Sequence, residues 1–208
     1  MTPLILASQS PRREALLRQV GLEFEVFPSG VEERLREGLP PAEGAEKLAL
    51  QKAEWVAARC SDGLVIGADT VVVVDGRVLG KPTGVEDARD MLRLLSGREH
   101  EVITGIAVVD AASGRSRSDH VVTAVGFAPL TQEIIDRYVA TGEPLDKAGA
   151  YAIQGYGALL IEGIRGCYNN VVGLPLRRLA ELLGEFGYDA FRMGLRSGGG
   201  PGARCRVK

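Results

Sequence analysis

The sequence is short of aromatic residues, which make up 5% of its 208 positions, and it has no basic excess, with 25 lysines and arginines against 27 aspartates and glutamates. Proteins that hold nucleic acid by counterion release need a basic surface, and single-strand binders stack bases on aromatic rings. A formal charge of -2 with so few rings argues against both, so any polyanion must be met locally by a few side chains. Cysteine is equally scarce: Cys60, Cys167 and Cys205 are odd in number and widely spaced, which excludes a disulfide framework and a paired-cysteine zinc site. Long hydrophobic runs are missing too. At the amino end only Pro3 to Ala7 precede Arg12 and Arg13, too short for a signal-peptide core or a membrane span. The expected compartment is the cytoplasm, with no membrane and no nucleic acid as partner.

Familiar catalytic signatures are absent as well. Gly80-Lys81-Pro82-Thr83 lacks the upstream glycine of a phosphate-binding P-loop, and no Gly-x-Gly-x-x-Gly opens a helix. No Gly-x-Ser-x-Gly elbow occurs, and His100 and His120 have no metal-ligand spacing, so both read as ordinary strand residues.

What is present is a core. Apolar residues are 45% of the chain and the mean hydropathy is +0.04, enough for residues 1–190 to form one folded domain without a linker. From Gly194 the composition turns to glycine and arginine with no acidic residue, so 191–208 reads as a disordered tail. Leu4 to Ala7 predicts a short buried strand, followed by a helix from Pro11 to Val20 that Ser10 can cap and Gly21 stops. Phe24 to Pro28 predicts a second strand, with a polar, acidic segment from Ser29 to Glu37 after it.

Between Pro41 and Arg59 the residues Ala45, Leu48, Ala49 and Val56 recur at helical spacing, and Lys52 falls on the same stripe. That lysine either snorkels to water or puts its ammonium in a cleft. Leu64 to Val74 predicts a central strand interrupted by Asp69 and Thr70, and Asp75-Gly76 turns it into a hairpin. Continued outward, that hairpin pairs Thr70 with Lys81 and brings Lys81 near Asp69, although regular pleating points Asp69 to the opposite face. Thr83 and Glu86 form a capping box for a helix carrying Val85, Ala88, Leu92 and Leu95. Strands Glu101 to Val109 and His120 to Phe127 follow, then a helix from Gln132 to Ala140 capped by Thr131. A last strand, Ala158 to Glu162, precedes a helix opened by Pro175 and closed by Gly187.

Two places concentrate chemistry. Ser8-Gln9-Ser10-Pro11-Arg12-Arg13 puts two arginines in the first turn of a helix, where they oppose the helix dipole unless an anion joins them. Their planar forks suit phosphate oxygens. Asp69 in an apolar strand is costly to bury without a partner, and Lys81 or a bound metal are the natural ones. Catalytic carboxylate and structural ion pair both fit that pattern.

Leu6-Ala-Ser-Gln-Ser-Pro-Arg-Arg13, Gly67-Ala-Asp-Thr-Val71, Gly80-Lys-Pro82, Leu95-Ser-Gly-Arg98, Asp146-Lys-Ala-Gly-Ala-Tyr-Ala-Ile-Gln-Gly155 and Val171-Val-Gly-Leu-Pro175 together resemble the Maf nucleotide pyrophosphatases. The resemblance runs to Gly187. It implies a two-lobed α/β fold around an elongated mixed sheet with flanking helices, an active-site cleft between the lobes, and a homodimer. It further implies metal-assisted attack of water at the α-phosphorus of a nucleoside triphosphate, releasing pyrophosphate and leaving the monophosphate.

Under that resemblance Asp69 is the general base and, with Glu33, a ligand of Mg2+ or Mn2+. Lys81 acts beside Asp69, while Arg12, Arg13, Lys52 and Lys81 hold the triphosphate and Ser8 adds a neutral donor. The Tyr151-Ala-Ile-Gln154-Gly segment resembles the branch acting on dTTP and UTP, where the Gln154 amide can pair with the donor and acceptor edge of thymine or uracil. Arg12 and Thr70 fall at the other positions tied to substrate choice, and modified pyrimidine nucleotides stay open as substrates. The rival reading is a nucleotide-binding regulator of septum formation acting through a partner.

Overall fold

The computed structural model describes residues 2–33 and 38–194, except the side chains of 193 and 194. In chain order the elements are β1 (Leu4–Leu6), α1 (Pro11–Gln19), β2 (Glu25–Val26), α2 (Pro41–Ala57), β3 (Leu64–Val74), β4 (Arg77–Leu79), α3 (Val85–Leu95), β5 (Glu99–Asp110), β6 (Ser116–Phe127) and α4 (Gln132–Ala140). Short 3-10 turns then lead to β7 (Ile161–Arg165), α5 (Tyr168–Val172), α6 (Leu176–Glu185) and α7 (Ala190–Gly194). The fold is mixed α/β. One seven-stranded sheet has the order β2-β1-β3-β5-β6-β7, with β4 on β3. β1 runs parallel to β2 and β3, whereas β4 on β3 and β7 on β6 are antiparallel.

The chain divides into two compact units, one of Met1–Asp69, Thr104–Val121 and Gly173–Lys208, the other of Thr70–Ile103 and Val122–Val172. In the first, α2 packs Ala49, Ala53 and Val56 onto Ile5, Val65 and Ala107 of the strands. In the second, Val72 and Val74 of β3 meet Leu92 and Leu95 of α3, Ile135 and Val139 of α4, Phe127 and Tyr151. Burial of such clusters, at roughly 25 cal/mol per Å² of apolar surface, drives both.

Most elements lie where the periodicity puts them, and β3 and α4 coincide with the expected bounds. The exceptions have physical causes. Ser10 stands at the cap of α1 but its side chain makes no cap bond. The expected capping box is displaced: Gly84 takes the cap of α3, while the backbone N-H and hydroxyl of Thr83 donate to the Asp87 carboxylate at 2.8 and 3.0 Å. Thr131 does cap α4, accepting from the N-H of Ile134. The strand expected over Ala158 to Glu162 begins later. Residues Gly155–Leu160 form a 3-10 turn that leaves Leu159 80% exposed, so the apolar run is split between a turn and β7. Of the tail, 191–194 complete α7, and 195–208 lie outside the described residues, as does the end of the acidic segment at 34–37.

Candidate active site

β1 delivers the chain into α1 through Ala7 to Ser10, and Pro11 at the first helical position fixes the entry. Arg13 turns inward there, only 9% exposed. Its Nη1 donates to Ser8 Oγ at 3.0 Å and its Nε to the carbonyl of Gly173 at 2.9 Å, while Ser8 Oγ also accepts from the N-H of Ser10. Ser8 and Arg13, both expected at the site, are thus joined, and the guanidinium is fixed in one orientation.

The second group is assembled by two glycines. Val65, Gly67 and Asp69 share one face of β3, since strand side chains alternate. α2 lies on that face so closely that a Cβ at Gly67 would come within 2.1 Å of the Ala49 carbonyl oxygen, and one at Gly105 on β5 within 2.3 Å of the Ala45 carbonyl. Only glycine admits the helix at this distance. Lys52, between Ala49 and Ala53 on the apposed stripe, then meets Asp69. It is 3% exposed, so it does not snorkel; its Nζ donates to Asp69 Oδ1 and to Glu33 Oε1, each at 2.7 Å. Glu33 arrives from a segment in which Gly30 lies against the Trp55 ring of α2, where a Cβ would sit 2.8 Å from Cζ2.

Electrostatics couple the two groups. Burial lowers the pKa of Arg13, the carboxylates of Asp69 and Glu33 oppose that shift, and Arg12 adds to it. Arg12, Arg13, Lys52, Glu33 and Asp69 therefore act on one neighbourhood, with three cations against two carboxylates. Such a surplus suits an anion.

Two carboxylates converging on one cationic nitrogen also have the donor chemistry of a Mg2+ or Mn2+ site, which is built from oxygen ligands and retained waters. In this respect Glu33 and Asp69 fit the expected metal.

Thr70 follows Asp69 on β3 and, with Lys81 and Gln154, belongs to the other unit. The β3–β4 ladder runs from Val74↔Arg77 to Val72↔Leu79, so the expected hairpin forms but does not reach Thr70 and Lys81. Lys81 lies just past β4, where Gly149 N-H donates to the Gly80 carbonyl at 3.0 Å. Gln154 is exposed, between the buried Ile153 and the 3-10 turn.

The sequence of residues 3–186, which carries these ordered motifs, is matched by the family model described as Maf-like protein. The chain belongs to the Maf-like family. Among Maf relatives, a protein of Pelotomaculum thermopropionicum named dTTP/UTP pyrophosphatase is 56% identical over 189 residues, covering 91% of this chain and 99% of its own. One of Moorella thermoacetica with the same name is 56% identical over 191 residues, covering 92% and 98%. A third, from Desulforamulus reducens and named alike, is 53% identical, covering 91% and 99%. Among solved structures, a HAM1 protein from Coxiella burnetii aligns with a TM-score of 0.46 at 17% identity, over 77% of this chain and 81% of that one.

One group of metal-ligand type escapes the linear pattern. Glu46 on α2 and Asp119 and His120 on β6 bring ligand atoms within 4.8 Å of one another and could hold a metal ion. Their side chains already have protein partners. Ser118 Oγ donates to Glu46 Oε1, His120 Nδ1 lies 3.1 Å from Glu46 Oε2, and Arg178 pairs with Asp119. Glu46 and His120 lie 74 positions apart, and only the packing of α2 on the sheet joins them.

Proposed function

We propose that this chain is a nucleoside triphosphate pyrophosphatase that hydrolyses dTTP and UTP to the monophosphate and pyrophosphate, with modified pyrimidine nucleotides as further substrates. The observation that carries the reading is the Lys52 ammonium held at 2.7 Å from both Asp69 and Glu33, beside a buried Arg13. The names of relatives more than half identical point to the same activity and favour an enzyme over the regulatory rival.

In this reading Asp69 accepts a proton from water as the water oxygen bonds to the α-phosphorus, and the bond from that phosphorus to the bridging oxygen of pyrophosphate breaks. Lys52 orients the carboxylate through Oδ1. Arg12, Arg13, Lys52 and Lys81 bind the triphosphate and offset charge growing on its oxygens, with Ser8 as a neutral donor. Held by Glu33 and Asp69, Mg2+ or Mn2+ would supply further positive charge to the phosphate oxygens. Gln154 reads the base through its amide, and Arg12 and Thr70 contribute to substrate choice. A cytoplasmic homodimer is the accompanying expectation, and among the described residues no helix is long and apolar enough to cross a membrane.

The test is pyrophosphate release with Mg2+ or Mn2+ across the ribo- and deoxyribonucleoside triphosphates. We predict that Asp69→Asn lowers kcat about 100-fold or more while nucleotide binding persists. Equal turnover by the variant would remove Asp69 as the base.

A further inference from the structure

The segment carrying Gln154 is held at both ends. On its amino side Tyr151 is buried edge-on against Phe127, ring centroids 4.7 Å apart, and its hydroxyl lies 2.7 Å from His100 Nε2. Beyond it, the Glu143 carboxylate gathers three donors. Oε1 accepts from the Tyr138 hydroxyl at 2.9 Å and from the Gly157 N-H at 3.0 Å, and Oε2 accepts from the Tyr156 N-H at 3.0 Å. The Tyr138 hydroxyl in turn accepts from the Ala152 N-H at 3.3 Å. Backbone groups on either side of Gln154 are therefore tied to one carboxylate, directly or through one phenol.

The turn is also too tight for side chains. A Cβ on Gly157 would lie 2.2 Å from the Ala152 carbonyl oxygen, and one on Gly155, whose φ is +67°, 2.5 Å from Glu143 Oε2. Burial and the bond to Glu143 raise the Tyr138 pKa, so the phenol keeps its donor proton. Glu143 itself is anchored, since its backbone carbonyl accepts from Lys147 Nζ at 2.8 Å and its N-H donates to Thr141 Oγ1 at 3.1 Å. An exposed amide on such a frame is held in register at little entropic cost upon binding.

We infer that Glu143 and Tyr138 are positioning residues for base selection: their hydrogen bonds to Ala152, Tyr156 and Gly157 hold the Gln154 segment in the conformation that reads a pyrimidine edge. This rests on the reading of Gln154 given above. Neither residue touches the base; each acts through the backbone that presents Gln154.

The experiment compares Glu143→Gln, Tyr138→Phe, Gln154→Ala and the double variant Glu143→Gln/Gln154→Ala. Steady-state kinetics on dTTP, UTP and dCTP are paired with inhibition by inorganic tripolyphosphate, which has no base. Glu143→Gln keeps the size of the side chain but turns one acceptor into a donor facing an N-H.

The expected result for Glu143→Gln and Tyr138→Phe is a rise of about tenfold in KM for dTTP and UTP, with kcat within about twofold. Preference over dCTP falls in step, inhibition by tripolyphosphate is unchanged, and the double variant loses no more selectivity than Gln154→Ala alone.

If Gln154→Ala changes base preference but Glu143→Gln and Tyr138→Phe do not, the positioning role is wrong. The same holds if kcat and tripolyphosphate inhibition decline together with dTTP affinity, or if the losses in the double variant simply add. Unaltered preference in Gln154→Ala would instead overturn the base-reading assignment, and this inference with it.

Discussion

At the scale of single residues, burial decides what a polar group can do. His100 is 2% exposed, its Nε2 lies against the Tyr151 hydroxyl, and among the described residues Nδ1 has no hydrogen-bond partner. The protonated ring would carry a buried charge and an N-H on both nitrogens, the one at Nδ1 with nothing to receive it, and burial lowers the pKa from 6.5 to about 4. An unfolded chain binds that proton near pH 6.5, so between 6.5 and 4 the unfolded state carries more protons than the folded one. The contribution is whole above pH 6.5 and is lost as the pH falls toward 4, amounting to about 3 kcal/mol at most. Urea midpoints measured from pH 7 to 4 should show this decline, and His100→Phe should flatten it; an equal slope in the variant would assign the decline to other groups. Lys52 shows the opposite use of burial. Its two readings from sequence, snorkelling or cleft, differ only in where the ammonium ends, and that depends on Asp69 and Glu33 lying within its reach.

At the scale of elements, the sequence makes strands and helices legible but not their distances. The apolar stripe of α2 and the β-branched run of β3 predict both elements and their buried faces, and Asp75-Gly76 predicts the β3–β4 turn. The hairpin pattern names Lys81 as a neighbour of Asp69, and the helix lying on β3 brings in Lys52 as well, at 2.7 Å from Asp69. The signal for that helix contact is Gly67, which otherwise weakens a strand and has its explanation in the Ala49 carbonyl oxygen it admits. The networks of Glu143 and of Glu46 with His120 were illegible for a similar reason, since each joins elements whose relative placement no local period encodes. We predict that Gly67→Ala costs about 1–3 kcal/mol by pushing α2 away from β3. It should also lower kcat by about 100-fold, because Lys52 moves with the helix. Gly105→Ala, on β5 beneath Ala45, should destabilise comparably and cost less activity. Thermal unfolding paired with pyrophosphate release checks this, and full activity in a folded Gly67→Ala variant would detach Lys52 placement from that contact.

At the scale of the whole molecule, the family match over residues 3–186 takes in every residue assigned to the proposed site, from Ser8 to Gln154. The tail contributes nothing to that assignment. Many sites that bind divalent ions through carboxylates are held together by the ion, because bare acids repel and separate when it is withdrawn. Here a lysine of the chain stands between the acids, at 2.7 Å from each, as a resident counter-ion. Chelation should therefore silence turnover while shifting Tm by no more than a degree or two, and a large fall in Tm would mean that the lysine does not balance the acids. With the expected small shift, activity and folding answer to different cations, one exchangeable with the medium and the other covalently part of α2. Under the proposed reading, such an enzyme would stay folded through metal starvation and resume turnover when the ion returns.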